Sequence, residues 1–151
     1  MKLHFEPNLQ FQLDAIEAVC DLFRGQESCR SEFTVTLPNK EQTDYLLQSD
    51  NIGIGNKLQL LDDEILANLR QIQLRNGLRP DDTLQSMNFT VEMETGTGKT
   101  YVYIRTILEL NKRFDFNKFV IVVPSIAIKE GVYKSFQITQ DHLRSLYANE
   151  P

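Results

Sequence analysis

The sequence is poor in the residues that build metal clusters and covalent staples: two cysteines and two histidines in 151 residues. Cys20 and Cys29 have no His or Cys companions at ligand spacing, so neither a zinc site nor a disulfide framework is indicated. A reducing, cytoplasmic setting is expected. No apolar run reaches the roughly 20 residues of a membrane helix, and no signal-peptide pattern opens the chain. Basic charge is short too. Sixteen Lys and Arg against 21 Asp and Glu leave a net charge of −5, unlike a strongly basic nucleic-acid binder. Contact with DNA would have to come from a local patch or from a cleft between two domains. Internal repeats and low-complexity tracts are absent. The rest, 41% hydrophobic and 25% charged, is the composition of an ordinary globular domain. A chain of this size buries about 68–70% of its unfolded surface, enough for one core.

Against this background one stretch carries chemistry: Met93-Glu94-Thr95-Gly96-Thr97-Gly98-Lys99-Thr100. It follows a strand-like run, Phe89-Thr-Val-Glu-Met93, and precedes a helical pattern. Strand, glycine turn and a helix opening on Lys-Thr form the layout that cradles nucleotide phosphates. Backbone N–H groups in such a turn make a nest for an anion, and the helix adds its positive N-terminal end. In this reading Thr95 to Gly98 form the cradle. Lys99 reaches the β- and γ-phosphates, and the Thr100 hydroxyl joins the Mg²⁺ shell. Gly96 and Gly98 leave room where a Cβ would block the turn or the phosphate oxygens. The general pattern begins with a further glycine, and here Met93 stands in its place. The bland alternative is a glycine turn with a surface lysine; the flanking strand and helix favour the phosphate reading. Glu94, beside a triphosphate, is expected to point away or to meet a cation.

Elsewhere, periodicity predicts a helix over 9–23, with Asn8 as N-cap, Gly25 as stop and Leu13, Ile16, Val19, Cys20 and Phe23 as its apolar face. Residues 31–36 alternate like a short strand, and 39–58 read as a polar loop marked by Gly53 and Gly55. A second helix spans about 62–74, with Asp62 and Asp63 at its start and Leu61, Ile65, Leu69 and Ile72 buried. Asn76-Gly77 stops it, and 79–88 form a surface connection. After the phosphate loop a helix over 99–112 turns Tyr103, Ile104, Ile107 and Leu108 to a sheet. Phe119-Val-Ile-Val-Val123 reads as a strand buried on both faces of a parallel sheet. Helices over 125–136 and 141–147 follow. Strand, helix and strand make a βαβ unit, so the expected fold is α/β, a partial P-loop lobe with a parallel sheet.

The residues also carry a resemblance. Thr95-Gly-Thr-Gly-Lys-Thr100 followed by Val120-Ile-Val-Val-Pro-Ser125 resembles motifs I and Ia of the second helicase superfamily. The wider stretches 89–107 and 118–132, the opening 3–16 and Leu60-Leu-Asp-Asp-Glu-Ile-Leu-Ala-Asn-Leu-Arg70 resemble the restriction (Res) subunit of type III restriction–modification enzymes. That resemblance implies a RecA-like motor lobe that uses ATP and Mg²⁺ to move along double-stranded DNA. It also implies a second motor lobe and a nuclease domain in the whole subunit, and a methyltransferase (Mod) partner for site recognition. It divides the chain into an adenine-motif helix over 1–25, an insertion over 26–88 and the start of the motor lobe over 89–151. By the same likeness Gln12 reads the adenine edge, for which an amide that both donates and accepts is suited. The alternative is a glutamine at the polar edge of the first helix. Pro124, Ser125 and Ile126 match motif Ia, which touches the DNA backbone, and Lys129 adds a phosphate contact. A proline ending a strand and Ser125 capping a helix would look the same.

Turnover in this class needs an acidic pair at the end of another strand and an arginine finger. The run 119–123 ends in Pro124, and no acidic motif or nuclease constellation follows. The expectation is therefore a fragment that binds ATP phosphates without turnover alone. A different P-loop ATPase or helicase fragment, a small kinase, and a non-catalytic remnant are the other readings.

Overall fold

The computed structural model describes residues 6–28 and 56–147, so the strand-like run 31–36 and the Gly53–Gly55 loop lie outside the described residues. Among the described residues four helices account for the regular structure: α1 (Gln10–Asp21), α2 (Asp62–Arg75), α3 (Lys99–Phe114) and α4 (Ile126–Tyr147). Helix α1 packs against both α3 and α2, and α3 in turn packs against α4.

Helix α1 starts and stops within two residues of its expected bounds. Its N-cap is Leu9, with no side-chain cap bond. The backbone N–H of Asn8, the expected cap, goes instead to the Glu6 carboxylate. Ile16 and Cys20 fall one turn apart and are buried to 2% and 1% exposure. They meet Val102 and Leu110 of α3 and Phe116 just beyond it, with Val19, Phe23, Phe114 and Phe119 packed around. Phe23 stands edge-on to Phe116 at 5.3 Å between ring centroids. Such edge-to-face contacts add to plain burial. Burial also pushes the Cys20 thiol up to about 12, so it behaves as a small apolar side chain.

Polar ties set the helices in register around this core. Arg113 of α3 donates to both carboxylate oxygens of Glu17 on α1, at 2.5 and 2.8 Å, and to Glu109 at 3.0 Å. Asp21 pairs with Arg75 of α2 at 2.7 Å and with Arg24 at 2.9 Å. The Asn68 amide of α2 donates to the Leu22 and Arg24 carbonyls, satisfying acceptors that the end of α1 leaves open. Helix α2 ends as Asn76-Gly77 predicts. Gly77 is left-handed (φ +70°), and the Leu78 and Gly77 N–H groups bond back to Gln73 and Leu74. Leu61, expected in the buried stripe, caps this helix and is 65% exposed; Ile65 alone of that stripe is fully buried.

The α/β expectation is overturned. The described residues contain no strand and no sheet. Residues 89–93 and 119–123 carry no ladder; both border one apolar cavity of about 470 Å³ over α3. A strand is stable only when its N–H and C=O groups pair with neighbours about 4.8 Å away, and parallel pairing is non-local. The β-branched run 119–123 was expected to be covered on both faces, yet Val120 is 89% and Val122 87% exposed. Its lead-in is held by one side chain instead: Asn56 accepts from the Asn117 and Lys118 N–H groups and donates to the Lys118 carbonyl. The expected face of α3 shifts as well. Val102, Ile104, Thr106 and Leu110 are buried, while Tyr103 and Ile107 line the cavity. The two helices expected over 125–136 and 141–147 are one continuous α4.

Candidate phosphate-loop site

The glycine turn has the backbone that phosphate cradling requires. Gly96 and Gly98 are both left-handed, with φ +83° and +85°. An L side chain enters that region at a cost of roughly 1–2 kcal/mol. Thr97 closes the turn, its hydroxyl donating to the Glu94 carbonyl at 2.7 Å. Gly98 is then the N-cap of α3, and its carbonyl accepts the first helical bond, from Val102. The first turn of α3 begins on Lys99 and Thr100, whose N–H groups have no acceptor within the helix. Lys99 is exposed, Thr100 is half-buried, and no acidic residue lies in the first turn to oppose an anion. Glu92 and Glu94 are exposed.

Gln12 is brought onto this loop across 85 positions of sequence. It is 6% exposed, and its Nε2 donates to the Thr97 carbonyl at 2.8 Å. A Cβ placed on Gly98 would lie 2.7 Å from that nitrogen, so the amide sits directly over the glycine. The contact uses one N–H of the amide and leaves a second N–H and Oε1. Arg105 of α3 donates to the Pro7 carbonyl at 2.5 Å, anchoring the approach to α1 and so the placing of Gln12. Nothing in the sequence pattern signals that tie, because its partner is a backbone carbonyl 98 residues away.

The fit to a phosphate group is good: a cradle in which a Cβ at residue 98 would have to displace the Gln12 amide, an open helix N-terminus and one lysine at its head. A magnesium ion would find the Thr100 hydroxyl there. The described residues hold no group of three or more His, Cys, Asp or Glu side chains able to bind a metal by themselves. Beyond the loop, Ser125 is seen only in the capping role: its hydroxyl accepts from the Ile128 N–H at 3.3 Å, with Pro124 at the bend and Ile126 and Lys129 exposed. A mixed groove of about 1120 Å³ runs from the end of α2 along 81–94 and reaches Glu94 and Thr97, with Phe11 of α1 on its wall. No helix among the described residues is long and apolar enough to cross a membrane.

The family model described as "Type III restriction enzyme, res subunit" matches residues 10–149, which takes in Gln12, the loop and α4. The chain belongs to that family. Among curated res subunits it is similar to the EcoPI Res subunit of Escherichia phage P1, 32% identical over 155 residues, covering 97% of this chain and 14% of the relative. It is 36% identical over 111 residues to the EcoP15I Res subunit of Escherichia coli, covering 68% of this chain and 11% of that one. A 61-residue match to the StyLTI Res subunit of Salmonella typhimurium reaches 52% identity and covers 40% of this chain and 6% of the relative. The chain thus spans about one seventh of the res subunit it matches over most of its length.

Proposed function

We propose that this chain is an ATP-phosphate-binding segment of a type III restriction enzyme res subunit. The observation that carries the proposal is the pair of left-handed glycines, Gly96 and Gly98, turning the backbone into the open N-terminus of α3. In this reading the N–H groups from Thr95 to Gly98 surround the β-phosphate, Lys99 neutralises the β- and γ-oxygens, and Thr100 helps to hold Mg²⁺. The free N–H and Oε1 of Gln12 match the acceptor and donor on the adenine edge. Pro124, Ser125, Ile126 and Lys129 contact the backbone of double-stranded DNA, which the longer subunit follows using ATP, together with a Mod methyltransferase and a nuclease domain. Water activation requires acids and an arginine from outside these residues, so the chain alone binds ATP without turning it over.

Titration of a fluorescent ATP analogue with Mg²⁺ tests the reading. Wild-type protein should bind ATP in preference to GTP, and Lys99→Ala should weaken binding at least tenfold, about 1.4 kcal/mol. Equal binding of wild type and Lys99→Ala, or no binding by folded protein, would reject it and leave a remnant loop.

A further inference from the structure

The Gln12 amide makes a contact that base recognition does not require. It donates to the Thr97 carbonyl at 2.8 Å and sits 2.7 Å from the place a Gly98 Cβ would take. Thr97 and Gly98 are the two residues immediately before Lys99. The turn they make is otherwise closed by one internal bond, Thr97 hydroxyl to Glu94 carbonyl. The Gln12 side chain is 6% exposed and stands on the helix that carries Ile16 and Cys20 into the core. A loop with two left-handed glycines has many backbone conformers to lose on ordering. A bond from a packed helix removes part of that freedom before any ligand arrives.

We propose that Gln12 is a positioning residue that holds the phosphate loop in its binding shape through the Thr97 carbonyl, whatever base the ligand carries. The inference rests on the phosphate-binding reading and extends it from the base to the phosphates. One consequence is mechanical. An adenine engaging the remaining N–H and Oε1 of the same amide would fix its orientation and so stiffen the loop 85 residues along the chain.

The discriminating probe has no base: inorganic tripolyphosphate with Mg²⁺, titrated by calorimetry into the full chain, beside ATP. Gln12→Met keeps the length and apolar packing and loses the amide; Gln12→Leu also loses the amide, in a branched side chain, with no charge added beside the phosphates. Ile16→Val weakens the core of α1 without touching the loop and controls for general loosening. The proposal expects both Gln12 variants, with unchanged circular dichroism, to lose about fivefold or more in tripolyphosphate affinity, the scale of one hydrogen bond. Ile16→Val should lower the melting temperature and leave that affinity alone. Tripolyphosphate affinity equal in wild type and both Gln12 variants, with only ATP affinity falling, overturns the proposal and leaves the phosphate-binding function standing. Tripolyphosphate affinity that falls equally in Ile16→Val also overturns it. A wild type that binds neither ligand overturns the function itself and the proposal with it.

Discussion

A methyl group added at residue 98 and one added at residue 77 meet different surroundings. Both glycines are left-handed, yet a Cβ on Gly77 has nothing within 4 Å, whereas one on Gly98 runs into the Gln12 amide. Gly77→Ala therefore costs only the left-handed strain of about 1 kcal/mol, a drop of several degrees in melting temperature, with phosphate binding unchanged. Gly98→Ala carries the same strain and must also displace Gln12, so tripolyphosphate affinity falls as well. Parallel melts and titrations of the two variants check this, and equal phosphate affinity in both would sink it. The backbone of the glycine turn is legible at this scale. The Gly-Thr-Gly-Lys-Thr order fixes where the backbone must be left-handed, because only glycine enters that region freely. The Gln12–Thr97 bond is not legible, since its acceptor is a main-chain carbonyl that every residue has.

Between elements, charge does part of the joining. The Arg113 guanidinium, hydrogen-bonded to Glu17, holds that carboxyl below its usual range despite partial burial. At Asp21 burial pushes upward, and the hydrogen bonds from Arg24 and Arg75 outweigh it, for a net lowering. A carboxyl with a lowered folded-state pKa takes its proton first in the unfolded chain. Its stabilisation is therefore complete above the ordinary carboxylate range and is lost as pH falls through the folded value. The Glu17 side chain is 43% exposed, which limits its share to a few tenths of a kcal/mol up to about 1. Urea midpoints measured from about pH 6 down to about pH 3 should fall less steeply in Glu17→Gln than in wild type; identical slopes would count against the pair. Helices were legible where period and stop signals agreed, as Ile16, Cys20 and the Asn76-Gly77 end illustrate. The strands expected at 89–93 and 119–123 are not realised among the described residues, because Val120 to Val123 specify an extended backbone but cannot specify a neighbour. A ladder needs a partner brought from elsewhere in the chain; just ahead of the run, Asn56 takes the backbone groups of Asn117 and Lys118.

At the scale of the whole molecule, that missing ladder leaves an apolar face. Val120, Val122 and Ile126 are 89%, 87% and 79% exposed, and Val120 and Val122 border the 470 Å³ cavity with Val91, Met93 and Phe119. Two driving forces coincide there: apolar area in water, and backbone N–H and C=O groups that stand in no ladder. Either can be relieved by a second molecule. Sedimentation velocity should therefore show a weight-average coefficient that rises with loading from roughly 10 μM to several hundred μM, the range in which such surfaces associate. Val120→Lys combined with Val122→Lys places two like charges on the exposed run while leaving the Ile16–Cys20–Val102 core untouched. Because both side chains are already in solvent, the double variant should keep the wild-type melting temperature to within a few degrees. It should also hold the sedimentation coefficient constant over the same range, since approach of two copies would now bring four ammonium groups together. A wild type that stays monomeric throughout, or a double variant that associates as strongly, would show that the exposed run is not the adhesive surface.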